Sequence, residues 1–135
     1  MSEENKLIAR RFLAAFAAGD TATLTQIVAE NTVDHNAPPG TKPGRQGLLD
    51  AVAMFRGGFP DLEISADRVV AESDAVAVYG TIRGTNTGAL MGNPATGKRA
   101  AFNYMDMYRI ANGQIVEMWH VEDMAGMLRA LSSNG

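Results

Sequence analysis

Cysteine is absent from the 135 residues, which excludes a disulfide framework, a thiol nucleophile and a thiolate metal site. Basic residues are in deficit: 12 Lys and Arg stand against 15 Asp and Glu, for a net charge of −3. A nucleic-acid partner needs a basic face, so none is expected. The adjacent pairs Arg10-Arg11 and Lys98-Arg99 read as solvated surface. Long hydrophobic runs are missing too. The most apolar stretch, Phe12 to Ala18, is too short to cross a bilayer, and the acidic start Ser2-Glu3-Glu4 is unlike a signal peptide. A cytoplasmic chain without membrane contact is the expectation. Histidine occurs twice, as His35 and His120, without metal-ligand spacing. There is no G-x-S-x-G, P-loop, Rossmann glycine pattern or zinc signature. The chemistry is therefore expected to rest on carboxylates, histidine and hydrogen bonds, with no cofactor and no metal.

What is present suits one domain over residues 1–135, with 46% apolar and 20% charged residues. Leu7, Ile8, Phe12, Leu13 and Phe16 recur at helical spacing, and Gly19 is a stop. Asp20 is placed to cap a second helix that turns Leu24, Ile27 and Val28 inward. Asn31 to Asn36 reads as a short extended piece, ended by the loop Ala37-Pro38-Pro39-Gly40. A third helix is predicted from about Gln46 to Phe55, with Gly57-Gly58 as its terminator.

From Leu62 the apolar period drops to two. It predicts strands over Leu62–Ala71 and Ala75–Thr85, then Arg99–Ile110 and Ile115–Val121. Asn112-Gly113 is a strong hairpin signal, because both turn positions need positive φ. The glycine-rich stretch Gly84–Gly97, with Leu90-Met91 at its centre, is long enough to read as a lid or binding loop. Helices followed by a meander of long strands and a closing helix from Met124 make the chain α+β. A curved antiparallel sheet wrapped around the N-terminal helices would leave a conical cavity for a small apolar ligand. A homodimer or homotetramer that covers the outer sheet face is expected.

Asp123 is the leading chemical candidate. If the last strand stays regular, Ile115, Glu117, Trp119, Val121 and Asp123 share one face, and the carboxylate stands where strand becomes helix. It also suits a helix N-cap, and the two roles can coexist. His35, at the mouth of the proline loop, is the better functional histidine. His120 has the parity opposite to Trp119 and faces away from Asp123 unless a bulge intervenes. Asp106 shares a face with Phe102, Tyr104, Tyr108 and Ile110. A charge among aromatics must be exposed or held, here by Arg83, Arg109 or a tyrosine hydroxyl, with a salt bridge the favoured account. Asn103, Met105, Met107 and Arg109 form the alternate face, and periodicity leaves open which face is inner. Six of the eight methionines lie between Met91 and Met127, as core filler or as a wall adaptable to flat ligands.

These segments resemble the SnoaL-like polyketide cyclases, a branch of the nuclear-transport-factor-like (cystatin-like) superfamily of α+β cones. The resemblance runs through Val33-Asp34-His35, Gly58-Phe59-Pro60-Asp61-Leu62 and Gly84-Thr85-Asn86-Thr87-Gly88. It continues through Ala95–Arg99, Asp106–Ile110 and Asn112–Trp119 to Asp123. It implies a cofactor-free intramolecular aldol condensation on a small hydrophobic carbonyl substrate. Asp123 matches the family's aspartate beyond the tryptophan strand and would carry the proton. His35 stands where the related ketosteroid isomerases carry their base, and His120 is a second contributor. Asn36, Phe59, Met91, Asn103, Met105 and Trp119 are the expected substrate contacts. The alternatives are a ketosteroid-isomerase-like activity and a non-catalytic module for a hydrophobic metabolite. The arginine and aspartates of limonene-epoxide hydrolase are not matched, since Val121 stands at the second aspartate's place.

Overall fold

A computed structural model describes residues 2–132 of the chain. Its elements are α1 (Ser2–Ala18), α2 (Thr21–Ile27), β1 (Val28–Asp34), α3 (Arg45–Gly58), β2 (Glu63–Glu72), β3 (Ala75–Thr85), β4 (Arg99–Ala111), β5 (Gln114–Glu122) and α4 (Met124–Ser132). The five strands form one sheet in the order β1-β5-β4-β3-β2. Strands β2 to β5 make the expected antiparallel meander, and β1 adds along the β5 edge in parallel. The extended piece before the proline loop is thus a sheet strand, and it starts earlier than the sequence suggested. Val28, expected on α2, opens β1 and is fully buried there.

Local chemistry accounts for the breaks between elements. Gly19 takes φ 71° and ends α1, since left-handed backbone is open to glycine without a Cβ clash. Asp20 then caps α2, accepting from Thr23 N at 3.1 Å and Thr23 Oγ1 at 2.6 Å. Asn112 and Gly113, at φ 54° and 76°, form the β4–β5 turn as the sequence indicated. No helix of the described residues is long and apolar enough to cross a membrane.

Helices α1 and α3 lie against the inner face of the sheet. Phe12 meets Tyr108 edge-on, with ring centroids 5.2 Å apart, and Phe16 joins Phe12 to Phe55 at 6.1 Å on either side. The inner face of β4 is the Phe102, Tyr104, Asp106, Tyr108 and Ile110 set, which resolves the choice that periodicity left open. The outer face carries Tyr79, Met105, Met107 and Val121 as exposed apolar side chains.

One irregularity sets what the sheet presents. Ile110 pairs with Ile115 but Arg109 pairs with Glu117, so Val116 has no partner on β4. An extra residue of this kind is a β-bulge, and it inverts the face on which every following residue lies. Ile115 is inner before the bulge, and Met118, His120 and Glu122 are inner after it.

Gly80 fixes the far side of the same wall. A Cβ there would sit 1.9 Å from the Ser65 carbonyl oxygen and 2.7 Å from the Tyr104 hydroxyl. That hydroxyl donates to the Ser65 carbonyl at 3.0 Å. Gly80→Ala is therefore expected to destabilise the fold by about 3 kcal/mol, because the obstructing atom is paired backbone. Urea unfolding of the variant measures this, and a loss within ~0.5 kcal/mol of wild type, the range of a neutral surface change, would contradict the geometry.

Candidate active site

Between α1, α3 and the inner sheet face lies a cavity of about 560 Å³. Its helix side is largely apolar, with Phe12, Leu13 and Phe16 from α1 and Leu48, Ala51, Met54 and Phe55 from α3, beside Gly47 and the carboxylate Asp50. Its sheet side is polar, with Asp34, Tyr104, Asp106, Tyr108, His120 and Glu122. Pro38–Lys42, Met91 and Met124 also line it, with Asn36 and the apolar Leu62, Ile64, Ile82 and Met118. Met91, at φ 49° and 46% exposed, is the part of the Thr85–Lys98 loop that reaches it. The loop is held by the buried Asn86, whose amide donates to Gly58 and Gly88 carbonyls and whose Oδ1 accepts from Thr96.

His120 organises the polar wall. Its Nε2 bonds Asp34 Oδ2 at 2.9 Å and its Nδ1 bonds Glu122 Oε2 at 2.8 Å. The hydrogen bonds to Asp34 and Glu122 push the imidazole up to about 10, against the opposing effect of burial. The ring is a cation at neutral pH and donates from both nitrogens. Burial would raise Asp34, but the bonds from His120 and the Asn36 amide, with the charges of both histidines, hold it below the usual range. The Asn36 side chain also accepts from His120 N at 2.9 Å, tying the loop after β1 to β5.

Asp106 faces His120 directly across the β4–β5 ladder. Burial, helped by the nearby charges of Glu122 and Asp34, pushes its carboxyl up to about 6. The Tyr108 hydroxyl donates to Asp106 Oδ2, and that bond and the His120 charge oppose the rise. Tyr108 is itself fully buried, and its phenol is held far above its ordinary value by burial and by Asp106. A tyrosine hydroxyl, not the favoured salt bridge, is what holds Asp106.

The structure redistributes the expected site. His120, Asn36 and Met91 line the cavity; Asp123, His35, Trp119, Asn103, Met105 and Phe59 do not. Asp123 is exposed and caps α4, its Oδ1 accepting from Gly126 N at 2.9 Å. The bulge at Val116 turned its strand face outward. On that outer face the His35 ring stacks on Trp119, with centroids 4.7 Å apart, and His35 bonds Glu117 at 2.7 Å. Asn103 and Met105 are exposed there as well. Phe59 is core, packed against Gly84. Asp34, Glu122 and the paired Asp106–Tyr108 were missed as site residues. The signal available for them was the alternation on β4, which placed Asp106 with the apolar set. Among the described residues no group of three or more His, Asp and Glu side chains is arranged to hold a metal ion.

The sequence profile of the SnoaL-like polyketide cyclases matches residues 6–131. Among curated proteins none matches the chain by sequence. Among solved structures, IdmH from Streptomyces antibioticus, a proposed polyketide cyclase, is 31% identical with a TM-score of 0.85, covering 96% of this chain and 99% of its own. TsrD from Streptomyces laurentii is 26% identical with a TM-score of 0.88, covering 96% of each chain. AclR from Streptomyces galilaeus, a proposed hydroxylase, is 25% identical with a TM-score of 0.83, covering 96% of this chain and 81% of its own.

His120 gives a pH signature to stability. Its folded pKa is raised to about 10 from 6.5, so its stabilising contribution is complete below the unfolded value and is lost as pH rises through the folded one. The Tm advantage of wild type over His120→Gln is expected to be largest near pH 6 and to shrink steadily toward pH 10. Parallel melting curves of the two proteins test this; an advantage that grows with pH would refute the bridged imidazolium.

Proposed function

Because the chain belongs to the SnoaL-like polyketide cyclase family, we propose that its cavity closes a ring in a small lipophilic polycarbonyl substrate by intramolecular aldol condensation, with Asp106 as the proton carrier. The observation that carries this reading is a carboxyl buried in the cavity wall with its pKa pushed up to about 6. A general base is most effective when its pKa lies near the working pH, and burial brings a carboxyl toward that range.

The substrate brings much of its own activation. A carbon between two carbonyls gives up its proton to the Asp106 carboxylate, leaving an enolate and a neutral carboxylic acid. The enolate carbon attacks a second carbonyl of the same molecule, forming the ring C–C bond and an alkoxide. The Asp106 acid returns its proton to that alkoxide, so the carboxylate is regenerated. Apolar walls from α1 and α3 hold the folded conformer and exclude water, which converts proximity into rate. His120 holds Asp34 and Glu122 beside Asp106 and is a positioning residue, since both ring nitrogens are already bonded. The alternative of a module that only binds a lipophilic metabolite would use the same cavity without needing a tuned carboxyl.

Proton abstraction can be read without the natural substrate. Deuterium exchange at the carbon between the carbonyls of a bicyclic 1,3-diketone, followed by NMR, is expected to be accelerated by wild type. Asp106→Asn should lose about 10²–10⁴-fold of the acceleration, while Asp123→Asn should keep it. The wild-type rate should rise with pH through about 6 as Asp106 ionises. Exchange that survives Asp106→Asn would remove this residue from the reaction; no acceleration by wild type would favour the binding module.

A further inference from the structure

Two tight turns of the chain share one backbone geometry and differ in what they carry. Asn112 and Gly113 take φ 54° and 76°, and Met91 and Gly92 take φ 49° and 80°. Left-handed backbone at both centres of a turn favours Asn-Gly, because asparagine tolerates positive φ and long apolar side chains do so poorly. The second turn is tightly held. Leu90 N donates to the Asn93 carbonyl and Asn93 N to the Leu90 carbonyl, both at 2.9 Å. Leu90 is buried against Gly58, where an added Cβ would lie 2.7 Å from its Cδ1. These contacts hold the backbone at Met91 in the left-handed region. The side chain gives the fold little in return, since it is 46% exposed and outside the buried core. Among the described residues, Met54 and Met91 are the only exposed large apolar side chains that line the cavity.

We infer that Met91 is a specificity-determining residue, kept at a strained turn because its side chain covers the outer end of a lipophilic ligand long enough to reach the cavity mouth. This deepens the proposed function, resting on it for the cavity being the ligand site but not on the proton carried by Asp106. Backbone strain enforced by surrounding contacts clusters at ligand clamps and active sites. Methionine suits such a place, because its unbranched thioether chain adapts to irregular apolar surfaces. The surface that Met91 leaves to water in the free protein is the surface that a long ligand would bury. A short ligand lying among Phe12, Phe16 and Tyr108 would leave it uncovered. Met91 thereby favours length, and it does so from the loop, apart from the polar groups of the sheet wall.

Met91→Asn gives the second turn the central residues of the first, so it keeps the loop and removes the covering side chain. Its Tm is expected to lie above wild type by roughly 2–4 °C. Ligand capture is read on the full chain with prodan, a neutral naphthyl ketone whose emission shifts on leaving water, and with the short ketone 1-indanone as its competitor. Prodan is expected to bind Met91→Asn about fivefold to tenfold more weakly than wild type, with the affinity for 1-indanone unchanged. Met91→Leu keeps both bulk and strain and should keep the wild-type Tm and prodan affinity. A Tm of Met91→Asn below wild type would show that the side chain serves folding and would overturn the inference. An unchanged prodan affinity, or equal losses for the two ketones, would overturn it as well. These outcomes leave the ring-closing reading standing, because proton abstraction by Asp106 is read separately. Wild type that captures no prodan would also overturn the inference, and the deuterium-exchange assay decides whether ring closing falls with it.

Discussion

A single unpaired residue on the last strand decides what this fold can do. Without Val116 as a bulge, the alternation that buries Ile115 would continue through Glu117, Trp119 and Val121. The cavity wall would then be an indole and a valine beside one carboxylate, and His120 would face solvent. With it, Met118 joins the core while His120 and Glu122 enter the cavity beside Asp106. A bulge also increases local twist, which suits the point where β5 meets both β4 and the parallel edge strand β1. The architecture is shared with relatives of other proposed roles, whereas this face selection determines the chemistry available.

The electrostatics that result are a balance of opposed effects in a confined space. Three carboxylates, Asp34, Asp106 and Glu122, share the wall with one imidazolium. The cation is bonded to two of them and faces the third across the ladder. Asp34 keeps a depressed pKa because its bonds outweigh its burial. Asp106 has only a phenol for a direct partner and sits deeper among apolar atoms, so burial prevails. The displacement from 3.8 to about 6 corresponds to about 3 kcal/mol against its ionised form. Identical side chains two strands apart are thereby driven in opposite directions, the pattern by which acid and base roles are separated.

Much of the architecture was legible because its signals are local. The capping of α2 by Asp20, the Asn112-Gly113 turn and the loss of helical period after Leu62 each depend on a few adjacent residues, and each appears as expected. Three of the expected site residues, Asn36, Met91 and His120, line the cavity. Asp123 takes the helix-cap role that the sequence also allowed, and the expectation that it shares the inner strand face fails because strand parity is not local. It is set by pairing with β4, and one unpaired residue upstream reverses it. The same inversion moved Trp119 to the outer face, where the His35 ring stacks on it. Strand β1 was underestimated because its parallel partner lies more than eighty residues on, as Val33 opposite Glu117 and Asp34 opposite Met118 show, and no short-range pattern records that.

The misplaced aspartate still has work that shapes the site. Asp123 N is bonded to the Asn103 carbonyl at 2.9 Å, and its side chain caps α4 so closely that a Cβ on Gly126 would lie 2.3 Å from Oδ2. The cap therefore fixes where α4 begins, and Met124, the residue after it, lies in the cavity lining. Buried Met127 anchors the same helix to the core. A carboxylate at a helix start is a good acceptor for the exposed amides there, and Asp123 commits one oxygen to Gly126 N, whereas Asp106 lies in the cavity wall. An exposed cap outside the cavity lining is placed to hold a wall and not to meet a bound ligand. The division between Asp123 and Asp106 follows from where the sheet sends each side chain, and residue type alone could not have made it.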